Sequence, residues 1–437
     1  MSLLDNTADL APAWARYNEI LVERGEGACL YDVNGRHYLD FTCGIGVTNT
    51  GHCHPRVVEA IREQAGLLLH GQANIVYHKP MLQLVESLRA VLPASLDTFF
   101  FSNSGAEAIE GAVKLARQVS GRSSIIAFEG GFHGRTAGAM ALTSSKGKYR
   151  AGHAPLPAGV YTAPYAHCYG CAVAAAAGRD TSAISRAAPL AECCGEPLRR
   201  LEHMLHTQIA PEDVAAMVVE PVIGEGGYIV PPASFLQGLR RICDQHGILL
   251  IVDEVQTGFG RTGSFFAFEQ FGITPDILVI AKGLASGLPL SGIIARREIM
   301  GRWRPGSHGG TYGGNAVACA AAVATIGDLP RAGKGAPGSP ARRPPPPRSP
   351  TLRPRAPPHP LAPKLCPLVP ELLDSDARSG IDKDISTQSD RQRRQGARCT
   401  RRSVSRRSSP VPASTAGSRC ADSPTSSTSP RRPCAAT

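Results

Sequence analysis

Up to about Ile326, short apolar runs alternate with amphipathic stretches, and each apolar run ends on glycine, asparagine or a charged residue. "DTFFFSN" (97–103) reads as a strand, followed by "GAEAIEGAVKLARQVSG" (105–121), a helix closed by glycine. "SSIIAFEGGFHG" and "VAAMVVEPVIGEGG" predict strands running into glycine-rich turns. "SFLQGLRRICDQHG" predicts a helix stopped by Gly247, and "ILLIVDEVQTGFG" the next strand. Ile277–Ala281, within "PDILVIAKGLASGLPLSG", is apolar throughout, as in a strand buried on both faces of a parallel sheet. Such alternation predicts an α/β fold, a mainly parallel sheet with helices on both faces. Ligands of these sheets sit beyond the carboxyl ends of the strands.

After Gly327 the pattern stops. Residues 328–437 hold 20 of the 36 prolines, include "RRPPPPRSP" and "RRSVSRRSSP", and contain no Phe, Trp or Tyr. A segment of this kind cannot bury enough apolar surface to offset its ordering entropy, so it reads as disordered. It also explains the formal charge of +11. The tail carries 21 basic and 8 acidic side chains, leaving 26 basic and 28 acidic ones in the first 327 residues. The body is therefore close to neutral, and a nucleic-acid surface is not expected on it. A basic arm, a proline-rich linker and an out-of-frame translation all fit the tail. The last is favoured, because the helix pattern "GGNAVACAAAVATI" breaks off without a cap.

The 437 residues suffice for two or three domains. No early apolar run resembles a signal peptide, and no stretch is long enough to span a membrane. The 13 cysteines are odd in number and irregularly spaced, which points to a reducing, cytoplasmic setting. Cys168 and Cys171, followed by Cys193 and Cys194, invite a metal reading. Adjacent cysteines seldom both ligate one tetrahedral ion, so ordinary thiols in a loop insertion are the preferred account and no metal is expected.

Two strand tips carry the chemistry. Asp253 ends the apolar run "GILLIVD", and Lys282 ends the next one. A carboxylate at such depth is either a structural ion-pair partner or the counter-ion of a buried cationic ring. A lysine partly desolvated there loses basicity and becomes a nucleophile able to form a Schiff base. Together they match what pyridoxal 5′-phosphate needs: an amine for its aldehyde and an acid for its ring nitrogen. "FFFSNSGAEA" adds a strand, a Ser-Gly turn and a helix N-terminus, where Ser104, Gly105 and Ala106 could seat a phosphate. The alternative there is a plain capping box between Ser104 and Glu107.

The segments "NSGAEA", "FEGGFHGRT", "EPVIGEGG", "IVDEVQTGFGRTG", "PDILVIAKGLASGLPLSG" and "HGGTYGGNAVACAAA" resemble, in order, the signatures of class III (subgroup II) aminotransferases. "YDVNGRHYLDFTCGIGVTNTGHCHP" (31–55) resembles that family's N-terminal segment, with "GHCHP" a turn rather than a metal site. The likeness spans about residues 15–326 and is strongest toward the 4-aminobutyrate branch. It implies the fold type I of pyridoxal-phosphate enzymes, as in aspartate aminotransferase. It also implies an N-terminal segment of the small domain (1–50), a large cofactor-binding domain (51–310) and the start of an interdomain helix (311–327). The C-terminal small domain would be absent or replaced by the tail.

The resemblance also implies roles. Lys282 would hold the cofactor as an internal aldimine and then shuttle a proton. Asp253 would keep the pyridine nitrogen protonated, and Gln256 would bond the phenolic oxygen. Val255 and Phe132 would cover the two ring faces, with His133 structural. Thr311 would reach the phosphate in the partner subunit of a homodimer with shared active sites. Arg135 resembles the arginine that grips a distal carboxylate, with Ile45 its neighbour; a simple helix-to-loop bridge is the alternative. Glu225 resembles a gate glutamate whose arginine partner comes from the C-terminal domain, and no arginine of the tail matches it. The activity implied is transfer of an amino group from an ω-amino acid, 4-aminobutyrate foremost, to 2-oxoglutarate. Acetylornithine-type donors, an aminomutase and an inactive truncated relative are the alternatives.

Overall fold

The computed structural model describes residues 3–167 and 194–329. Cys168, Cys171, Cys193 and the tail beyond Leu329 lie outside the described residues. A small antiparallel meander comes first, formed by β1 (Val22–Glu26), β2 (Cys29–Asp32) and β3 (His37–Leu39). Helices α1 (Pro55–Ala65) and α2 (Lys79–Arg89) follow.

The main sheet has seven strands: β4 (Thr98–Ser102), β5 (Ser124–Phe128), β6 (Val160–Ala163), β7 (Val214–Val219), β8 (Leu249–Asp253), β9 (Ile277–Ile280) and β10 (Ser291–Ala295). Their spatial order is β4-β10-β9-β8-β7-β5-β6. Pairing is parallel from β9 through to β6, whereas β10 runs antiparallel to both of its neighbours. The sequence pattern predicts the parallel part and is silent about β10, because "SGIIA" is as apolar as its neighbours whichever way it runs.

Alternate residues of each strand enter two cores. Ile251, Ile277, Val279 and Ile293 face one side, packed with α3 (Gly105–Ser120). Leu250, Val252, Leu278 and Ile294 face the other, packed with α6 (Ala233–His246) and with α2. Two further helices, α4 (Ala137–Leu142) and α5 (Glu196–Thr207), sit on opposite faces. Each fully buried Leu, Ile or Phe contributes roughly 1.5–3 kcal/mol, so two dry faces fix the strand ends firmly. Both predicted glycine stops are present: Gly121 and Gly247 adopt left-handed geometry that closes α3 and α6.

Helix α7 (Ala316–Asp328) runs one residue past the expected break at 327. Asp328 belongs to the folded body, since its carboxylate pairs with Arg56 and with His54. Among the described residues no helix is long and apolar enough to cross a membrane, and no group of three or more His, Cys, Asp or Glu could hold a metal ion.

Candidate active site

Strands β8 and β9 are neighbours and parallel, so their carboxyl ends lie side by side. Asp253 is the last residue of β8, and Lys282 lies two residues beyond β9. The lysine backbone takes a left-handed φ of 46°. A residue with a side chain rarely adopts that conformation, and such strain concentrates at functional sites. Its Nζ donates to Oε1 of Gln256. Burial depresses the basicity of Lys282, and Asp253, Glu220 and Glu225 only partly restore it, so its pKa stays below the usual lysine range. A larger share of uncharged amine follows, which is the reactive form.

Asp253 is buried and doubly engaged. Oδ1 accepts from the Val255 amide at 3.0 Å, and Oδ2 lies 2.7 Å from Nδ1 of His133. Burial works against a charge on His133, but the hydrogen bond and charge of Asp253, with the charge of Glu220, outweigh it and raise its pKa. The buried His133 imidazole therefore backs Asp253. The residue read as structural from the sequence sits directly behind the carboxylate.

At the N-terminus of α3 the capping box is formed. The Glu107 amide donates to Ser104 Oγ at 3.2 Å, and the Glu107 carboxylate accepts from the Ser104 amide at 2.9 Å. Such a cap satisfies two donors, stabilises the helix by about 1 kcal/mol and leaves the first helical amides without intrahelical acceptors. Those of Gly105 and Ala106 border the same cavity as Lys282 and Asp253. The two readings of Ser104 are therefore compatible.

That cavity has a volume of about 470 Å³. Phe132 and Val255 line it, as do Arg135, Gln256 and Glu225. At its rim Glu225 Oε2 meets Lys146 Nζ at 2.8 Å and the Tyr149 hydroxyl at 3.3 Å. The Lys146 hydrogen bond holds the Glu225 carboxyl below the ordinary range. The Arg135 guanidinium lies 4.5 Å from the centre of the Tyr149 ring, which meets Phe132 edge-on at 5.5 Å. Ile45 lies elsewhere, in an adjoining cavity of about 700 Å³ that shares Glu225 and Gln256 at its border and is also lined by Lys146. Thr311 is exposed and lines neither cavity.

Three residues escape the sequence reading. Glu220 follows β7 immediately and borders the cavity, so the strand-end rule that selects Asp253 also selects it. Lys146 and Tyr149, in "TSSKGKY", carry no pattern that marks them. Burial raises the Glu220 pKa, countered by His133 and reinforced by Asp253.

The donor set fits pyridoxal 5′-phosphate. One cavity combines an amine of lowered basicity, a carboxylate backed by a buried histidine, and helical amides of the kind that bind a phosphate. The sequence profile described as "Aminotransferase class-III" matches residues 11–332. A probable 4-aminobutyrate aminotransferase of Bacillus subtilis is 41% identical over 310 residues, 71% of this chain and 68% of that protein. An acetylornithine aminotransferase of Methanopyrus kandleri is 42% identical over 313 residues, 72% of this chain and 71% of that one. Among solved structures, an amine transaminase from an uncultivated Pseudomonas species, in its PLP-bound form, superposes with a TM-score of 0.64 at 32% identity, covering 73% of this chain and 72% of its own. The matched span contains every residue that borders the cavity, and pyridoxal 5′-phosphate is the cofactor. The chain belongs to the class III aminotransferases.

Proposed function

We propose that the protein moves the amino group of an ω-amino acid, 4-aminobutyrate foremost, onto 2-oxoglutarate in two half-reactions at one site. The observation that carries this reading is the adjacency of Asp253 and Lys282 at two parallel strand ends, with Arg135 in the same cavity. When bound, pyridoxal 5′-phosphate supplies the electron sink that makes removal of a donor C–H proton feasible. Lys282 Nζ would hold the cofactor by its aldehyde and, when free, would take and return that proton. Asp253 would pair with the ring nitrogen, and His133, 2.7 Å from its carboxylate, would keep it oriented. Ser104, Gly105 and Ala106 would hold the phosphate, Val255 and Phe132 would cover the ring, and Gln256 would bond its phenolic oxygen. Arg135 takes a substrate carboxylate in its planar fork, with Ile45 in the adjoining chamber shaping the donor's path and Glu225 as the movable anion between them.

A homodimer belongs to the same proposal, with Thr311 of each subunit serving the site of the other. Thr311 stands beside an exposed apolar surface. Leu67, Ile75, Tyr77 and Tyr312 are 81%, 79%, 83% and 64% exposed. His70 packs on Tyr312 at 5.4 Å, and Asn315 bonds the Leu69 carbonyl, which brings the segment after Leu67 beside Tyr312. Exposure on that scale marks an interaction surface. Residues 51–310 are assigned to the cofactor domain, with 1–50 and 311–327 flanking it, in a cytoplasmic protein.

Acetylornithine as donor is the second reading, favoured by the Methanopyrus relative. The test begins with visible absorbance of the purified chain and borohydride fixation of the cofactor on Lys282, both lost in Lys282→Ala. Half-reactions with 4-aminobutyrate and with acetylornithine then rank the donors. A dimer that takes no cofactor overturns the proposal, and a loaded dimer inert to both donors identifies an inactive relative.

A further inference from the structure

Two loops in contact with each other border the cavity: residues 129–135, which carry Phe132 and Arg135, and residues 220–227, which carry Glu225. They touch through backbone alone at one point. A Cβ added to Gly226 would lie 2.2 Å from the Gly130 carbonyl oxygen, so no side chain fits between them. Close by, a single side chain spans both. Glu220 Oε1 accepts from the Phe132 amide at 2.7 Å, and Glu220 Oε2 accepts from the Gly224 amide at 2.9 Å. The residue is only 5% exposed. Its own backbone is anchored separately, since the Tyr165 hydroxyl donates to the carbonyl oxygens of Glu220 and Pro221 at 3.2 and 3.3 Å.

We propose that Glu220 is a positioning residue for the transamination, a two-armed clasp that holds the Phe132–Arg135 wall at a fixed distance from the Glu225 wall. This rests on the function proposed above. The clasp needs two acceptor oxygens on one planar group, which only a carboxylate offers. Glutamine supplies one acceptor and turns an NH2 toward the second amide, so one wall is released. Aspartate keeps both oxygens but is one methylene shorter and cannot reach both amides from the same backbone position. Arg135 and Glu225 stand on the two different loops that the clasp joins, and both reach Tyr149. The separation that Glu220 sets therefore determines how a substrate carboxylate is received, and a loosened clasp should appear in KM for the 2-oxo acid rather than in cofactor retention.

The test compares Glu220→Gln and Glu220→Asp with Tyr165→Phe in the full chain. Tyr165→Phe removes the anchoring of the Glu220 backbone and leaves the carboxylate untouched. Amide hydrogen exchange at Phe132 and Gly224 is read by mass spectrometry with and without added pyridoxal 5′-phosphate. Both Glu220 variants should exchange about tenfold faster in at least one of these loops, and Tyr165→Phe should not, although its melting temperature falls. In the loaded enzyme KM for 2-oxoglutarate should rise about tenfold in the Glu220 variants, with the visible band retained. Unchanged exchange in both loops, or equal exchange in Tyr165→Phe, overturns the clasp; an unchanged KM overturns its role in substrate reception. A wild-type chain that binds no cofactor would sink the transaminase reading and still leave the exchange comparison decisive for the clasp.

Discussion

The floor of the cavity and its rim each set a carboxylate beside a basic side chain, held in different ways. On the floor, Asp253 and His133 are almost fully buried, with side chains 3% and 1% exposed, and each oxygen of the carboxylate has a directional donor. At the rim, Lys146 and Glu225 pair at a similar distance while remaining 46% and 30% exposed. Water screens the rim pair and leaves the floor pair nearly unscreened. The floor is built to stay in place. The rim can rearrange when a charged substrate arrives, because little stability is lost when its pair opens.

The sharpest break of this contrast comes from Asp253→Ala. It leaves a buried imidazole without its carboxylate, and unfolding free energy in urea should drop by about 3–5 kcal/mol, with loss of both half-reactions. Survival of full stability would show that the floor is no tighter than the rim. A second buried acid probes the floor through pH. Burial pushes the Glu254 carboxyl up to about 7, against the hydrogen bonds from Thr257 and the Phe268 amide. Because its folded pKa lies above the unfolded value near 4.5, its contribution is fully present below pH 4.5 and is lost as pH rises toward 7. Glu254→Gln should therefore flatten the fall in stability across that window, a difference on the order of 3 kcal/mol between its ends. An unaltered slope would assign the pH dependence to other groups. The smallest effect belongs to the rim. Lys146→Ala should leave the melting temperature within error and change KM for the 2-oxo acid by only a few fold, with the change shrinking as salt is added. A large drop in melting temperature would place Lys146 with the floor.

The same contrast explains what the sequence reveals. Asp253 and Lys282 are legible because a charge at the end of an apolar run is conspicuous, and the fold needs only the alternation of those runs with helices. The Ser104 cap is legible because its partner is three residues away. Glu220 stands at an equally conspicuous position, but its partners Phe132 and Gly224 are backbone amides, and an amide leaves no mark in a sequence. Lys146 and Tyr149 escape for another reason. They reach Glu225 across 79 and 76 residues from a loop without periodicity. The reversed strand β10 escapes because burial on both faces erases the alternation that would separate it from its parallel neighbours.

That strand also sets a length. Since β10 opposes both β4 and β9, those two strands run in the same direction, and their carboxyl ends open on one side of the sheet. Direct pairing of β4 with β9 would place the α3 N-terminus and Lys282 one strand spacing apart, about 4.8 Å. With β10 between them the separation doubles to about 10 Å. The chain entering β10, residues 287–290, borders the cavity in the gap so made. One inverted strand thus acts as a spacer between the N-terminus of a capped helix and the strand end that bears Lys282, and it gives the sheet a slot two strand spacings wide.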